Sequence, residues 1–153
     1  NPPGTLGIFC DPKHPVFKHF PTEFHSDWQW WPITKYARPV ILDQAPPELQ
    51  PLVQVIDNYE TSRKLAILFE AKVGKGKLLF CSADLLNHRD KPEVRQFLYS
   101  IIEYMAGDRF NPAVQLNLDT IKSLFESVYS PGDNSADSKK KADTPSQNTI
   151  QID

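Results

Sequence analysis

Between Phe20 and Trp31 the chain reads FPTEFHSDWQWW, and this stretch holds all three tryptophans, two of the nine phenylalanines and one of the four histidines. A loop carrying so much apolar ring surface cannot be left fully solvated without exposing a large hydrophobic patch. The stretch must therefore pack into a core, lie against another domain, or hold a ligand. At helical spacing Trp28 and Trp31 fall on one side together with Tyr36, while Trp30 points elsewhere. The expectation is thus that Trp28 and Trp31 enter the core and Trp30 faces outward, so that Trp30→Ala leaves the isolated fold nearly intact.

The other 141 residues bound the choices. A chain of 153 residues is the size of one domain and buries enough surface to fold alone. The formal net charge of -2 offers no excess of positive charge for a phosphate backbone, so nucleic acid is not an expected partner. Apolar runs are short and interrupted, well under the roughly 20 residues that span a bilayer, so no membrane partner is expected either. Asn1 is preceded by no initiator Met and begins no signal-peptide pattern, which suits a mature form, an excised domain or a fragment. Cys10 and Cys81 both sit in apolar, strand-like runs and read as buried free thiols before they read as a disulfide.

In chain order, Leu6 to Cys10 reads as a buried strand, and His14-Pro15 opens a single helical turn. Ser26 or Asp27 is placed to cap a helix from Trp28 to Tyr36. Pro39 to Leu42 is a second strand. From Val53 three β-rich segments follow, VQVIDNY, LAILFEAKV and KLLFCSADL, with a polar turn at Glu60 to Lys64 and a hairpin at Gly74-Lys75-Gly76. In the middle segment Leu65, Ile67 and Phe69 alternate with Ala66, Leu68 and Glu70, so both faces are largely apolar, as in a sheet covered on both sides. Asp90 to Glu93 has capping-box spacing ahead of a helix with its stripe at Val94, Phe97, Leu98, Ile101, Ile102 and Met105, stopped by Gly107. A second helix is expected from about Leu118 to Val128. The domain is bounded at 1–129, and 130–153 has the polar composition of a disordered tail.

No complete catalytic motif is present. Cys81 follows a strand, as nucleophiles do in hydrolase and amidotransferase folds, but Leu79 and Ala83 stand where the elbow glycines belong. His14, His19 and His25 with Asp11, Glu23 or Asp27 match no zinc spacing, and loop histidines that bond backbone explain them more simply. Gly74 to Lys77 lacks the length and the Ser or Thr of a phosphate loop. Asp43, Asp57, Glu70 and Asp84 lie near strand ends, but no spacing rule pairs any two as glycosidase carboxylates. No catalytic residue, metal ligand or cofactor is assigned. What remains are candidate residues for carbohydrate binding or interdomain packing: Phe24, His25, Asp27, Trp28, Trp30 and Trp31. Indole suits the C–H faces of sugar rings, and Asp27, Gln29 and Glu23 supply hydroxyl partners.

The segment GTLGIFCDPKHPVFKHFPTEFHSDWQWW, with ILFEAKVGKGKLLFCSADL and the helix closing at Tyr104-Met105-Ala106, resembles the C-terminal region of family 2 glycoside hydrolases of the β-galactosidase-like type. The resemblance covers roughly residues 4 to 112 and is carried most specifically by Asp11-Pro12-Lys13-His14-Pro15 and Trp28-Gln29-Trp30-Trp31. It implies a three-layer, flavodoxin-like (class I amidotransferase-like) α/β sheet flanked by helices, truncated at its N-terminal side and degenerate as an amidotransferase. It further implies a secreted or periplasmic parent that hydrolyses β-glycosides with two carboxylates in a separate barrel domain. This chain would then be a noncatalytic accessory domain whose partners are the upstream domains of that parent. The competing expectations are a carbohydrate-binding module using Trp28, Trp30 and Trp31, with an oligosaccharide as partner, and an independent amidotransferase-like cysteine hydrolase.

Overall fold

The longest apolar run of the chain becomes the hub of the sheet. In the computed structural model, which describes residues 7–126, Leu65–Val73 forms a nine-residue strand, β4. Strands β2 (Val40–Ile41), β3 (Val53–Val55), β5 (Gly76–Cys81) and β6 (Gln115–Leu116) all pair with it. The remaining strand, β1 (Ile8–Cys10), lies outside β3. The sheet is mixed: β1–β3, β3–β4, β2–β4 and β4–β5 are antiparallel and only β4–β6 is parallel. A flavodoxin-like sheet is built from parallel strands joined by crossover helices. The class is therefore α/β, as expected, but the doubly wound parallel pairing is not the one adopted.

The alternation expected along β4 is broken by a bulge. Val53 sits opposite Leu68 while Gln54 sits opposite Ala66, so Ile67 is the extra residue and the side-chain parity changes there. As a result Ile67 and Leu68 both enter the same core cluster, and Phe69 and Ala71 turn to the other face. β5 follows without interruption, Leu79 and Cys81 packing with the first cluster and Leu78 and Phe80 with the second. The β4–β5 connection is the expected hairpin, with Gly74 at φ 57° taking the left-handed conformation that a two-residue turn needs. The polar turn after β3 is tied by Asp57, whose Oδ2 accepts from Arg63 Nε at 2.9 Å and from Thr61 Oγ1 at 2.6 Å. These bonds hold its carboxyl well below the usual carboxylate range.

Both faces of the sheet are covered. On one lie α2 (Pro92–Ala106), α1 (Trp31–Thr34) and the 3-10 turns Pro15–Phe17 and Trp28–Trp30; on the other lies α3 (Leu118–Glu126). α2 begins at Pro92 and ends at Gly107, as its sequence dictates, but Asp90 is not its cap. Lys91 takes that position with no side-chain cap bond, and its ammonium pairs with Asp90 at 2.6 Å. The helix is also rotated relative to the stripe read from apolar residues alone. Val94, Phe97, Ile101 and Tyr104 are buried, while Ile102 and Met105 are exposed. The rotation follows from Ser100, the buried polar residue among those described, whose Oγ donates to Val16 O and accepts from His19 N. A polar side chain inside the stripe turns the helix so that two loop groups find partners. The expected end of α3 at Val128, and the tail 130–153, lie outside the described residues.

Candidate functional site: the aromatic turn

Asp27 starts the aromatic turn by accepting from Gln29 N at 3.0 Å through Oδ1, which caps the 3-10 turn. Pro32 has no N–H to donate, so the expected continuous helix from Trp28 to Tyr36 resolves into a 3-10 turn and the four-residue α1. Trp28 and Trp31 keep their shared side, but it is the opposite side, with Trp30, that meets the core. Trp30 is fully buried, edge-to-face with Phe20, Phe97 and Phe17 at ring distances of 5.2, 5.3 and 6.2 Å. Its indole Nε1 donates to Thr22 Oγ1 at 2.8 Å, which satisfies the one polar atom the ring carries inward. Trp28 is 89% exposed and Trp31 59%. The expectation of Trp28 and Trp31 in the core, and of a dispensable Trp30, is corrected on both counts.

The three indoles nevertheless border one depression of about 370 Å³, with Gly7, Ile8, Ser26, Asp27 and Thr34 completing its wall. Trp28 and Trp31 are its exposed rings. Gly7 has φ 128°, and a Cβ placed there would come within 2.9 Å of Ser26 Oγ. Only glycine leaves this wall open. Asp27 Oδ2 and the Ser26 hydroxyl have no hydrogen-bond partner among the described residues.

Around the rim of β1 lies a second aromatic feature that the sequence reading divided between a strand and a loop. Cys10 N donates to Phe24 O at 3.0 Å and Phe9 forms a bridge with His25, so residues 24–25 close the outer edge of β1. Phe9, which alternates outward from Ile8 and Cys10, meets Phe24 edge-to-face at 6.5 Å, the two being 56% and 54% exposed. His25 is held against Phe24 at 4.9 Å and directs Nδ1 to Ser26 O. Phe9 escaped the candidate residues because a strand residue between two buried neighbours gives no sign that its outer face lacks a cover.

Elsewhere the polar candidates serve the fold. Asp43 accepts from Lys64 N, Glu70 from Tyr104 Oη, and Asp84 from Asn87 N and Nδ2. The bond to Glu70, after burial, pushes the Tyr104 hydroxyl upward. His14 caps the first 3-10 turn through Nδ1, and burial lowers its pKa against the opposing pull of Glu70 and Asp11. Among the described residues no three His, Cys, Asp or Glu side chains gather as a metal site. No described helix is long and apolar enough to cross a membrane.

Both thiols are free. Burial pushes Cys81 up to about 11, and no histidine bonds its sulfur among the described residues; Cys10 is likewise pushed up to about 11 and donates to Glu23 O. At about pH 8 a thiol moved from 9.0 to about 11 carries roughly 100-fold less thiolate. Iodoacetamide is therefore expected to alkylate Cys81 at least ~100-fold more slowly in the folded chain than in denaturant. Equal rates would restore a cysteine nucleophile.

The architecture and the site define a small α/β domain with no assembled catalytic constellation among its described residues and with an aromatic turn presented to its surroundings. The chain belongs to the family described as Domain of unknown function (DUF8487), which matches residues 1–126. No curated protein matches it.

Proposed function

We propose that this chain is a noncatalytic accessory domain of a secreted or periplasmic, β-galactosidase-like glycoside hydrolase, and that it docks on neighbouring domains of that polypeptide through the rim of β1. The resemblance of residues 4 to 112 supplies the parent, and the layered arrangement of helices on both sheet faces agrees with an amidotransferase-like module whose strand pairing has diverged. The observation that carries the docking reading is the exposed pair Phe9 and Phe24, fixed on a strand rim by backbone bonds instead of hanging from a loose loop. Two large rings held rigid and half-bare suit the apolar centre of a domain seam. Its occupant is a neighbouring domain of the same polypeptide, as the accessory-domain reading requires.

The test uses the longer polypeptide. Phe9→Ser with Phe24→Ser is expected to separate one cooperative thermal transition into two, while shifting the melting temperature of the 153-residue chain by only about 2 °C, as suits exposed positions. An unchanged single transition contradicts the seam. A parent without hydrolytic activity on β-galactosides and β-glucosides contradicts the glycosidase context.

A further inference from the structure

We propose that the depression beside Trp28 and Trp31 is a subsite for a neutral pyranose ring, separate from the Phe9–Phe24 rim. Trp28 presents nearly its whole indole to solvent, and it stands on a turn anchored from below by the buried Trp30. The backbone that carries the platform is therefore fixed before any ligand arrives, which lowers the ordering cost of binding. A flat ring of this kind attracts the C–H face of a sugar, whose axial hydrogens carry slight positive charge. The wall beside the platform is polar in a complementary way: Asp27 Oδ2 accepts hydroxyl protons, and Ser26 Oγ both donates and accepts.

Charge narrows the ligand class. The wall carries a carboxylate and no Lys, Arg or His, so phosphate and sulfate esters are repelled and a neutral polyol is favoured. The size, about 370 Å³, is at the small end of the roughly 300–1,000 Å³ of ligand pockets and suits a short sugar, not a long chain threaded through a tunnel. The wall is also kept open by its backbone: Gly7 lies where any side chain would meet Ser26 Oγ. Here exposed rings, hydroxyl and carboxylate oxygens without a partner among the described residues, and a glycine that holds the space come together. The choice of a β-linked sugar as probe rests on the accessory-domain reading; the choice of a neutral pyranose does not.

The experiment is a titration of the ¹⁵N-labelled 153-residue chain with methyl β-D-galactopyranoside and, separately, methyl β-D-glucopyranoside, followed through the indole N–H resonances. Saturable shifts of Trp28 and Trp31 are expected with at least one of the two, and Trp28→Ala is expected to weaken binding about tenfold or more. Because Trp28 is exposed, that variant keeps the fold, which the unchanged Trp30 resonance verifies. Glycerol, which has hydroxyls but no ring face, is expected to give no saturable shift. Linear, non-saturating responses to both glycosides overturn the proposal, as does equal affinity in Trp28→Ala or saturable binding of adenosine in preference to the sugars. The Phe9→Ser, Phe24→Ser chain is expected to bind sugar unchanged, so loss of the seam and loss of the subsite are read independently.

Discussion

Trp30→Ala is expected to destabilise the domain by about 3–5 kcal/mol, the range for truncating a large aromatic residue in a packed core. The indole touches three aromatic rings from three parts of the chain: Phe17 from the first 3-10 turn, Phe20 from the aromatic stretch and Phe97 from α2. Removing it opens a cavity where these converge and strands the Thr22 hydroxyl that received its N–H. Net stabilities of small domains are about 5–15 kcal/mol, so the variant is expected to be marginal, with a broad, low-temperature transition. Trp28→Ala in the same assay is expected to change stability by less than about 0.5 kcal/mol, since it is exposed. Urea titrations of the two variants measure the contrast. Equal effects would mean that the turn packs differently from the structure described.

Ser100→Ala is expected to cost about 2–3 kcal/mol although it removes a single oxygen. That oxygen gives its proton to Val16 O and accepts from His19 N, and both groups belong to the turn that α2 covers. Alanine fills nearly the same volume, so the loss is that of two backbone groups left without partners at roughly 1–3 kcal/mol each, reduced because His19 is partly open to water. Gln96 Nε2 donates to His19 O beside this pair, which keeps the turn in place in the variant and makes the measured loss a matter of pairing. Hydrogen exchange at the His19 amide reports it directly. Protection unchanged in Ser100→Ala would show that the amide has another partner.

Elements with strong local signals were legible in the sequence. β4 and β5, the Gly74 turn, and α2 between Pro92 and Gly107 were all readable from periodicity and turn chemistry, because each signal lies within the element itself. Pairing was not. The antiparallel arrangement of β1, β3 and β4 depends on which strands meet, and a run such as Ile8–Cys10 suits either direction equally. The bulge at Ile67 was equally hidden, since it exists only relative to Val53 and Gln54 on the partner strand.

Helical spacing oriented the aromatic stretch the wrong way round. A periodicity of 3.6 residues groups Trp28 with Trp31, and the 3-10 turn keeps that grouping, but the side that meets the core is the one that carries Trp30. The prolines were visible; the side of the turn that Phe20 and Phe97 would cover was not. Similarly, nothing local to α2 sets Ser100 apart in the sequence, because its role exists only relative to the loop groups it bonds.

The inside-out arrangement of the three tryptophans underlies the sugar-binding proposal, and their indole N–H exchange tests it most directly. In deuterated buffer the Trp30 indole proton, buried and bonded to Thr22, is expected to persist after those of Trp28 and Trp31 have exchanged. Two slow indoles and one fast one, with Trp30 the fast one, would contradict the account and restore the orientation that helical spacing alone suggests.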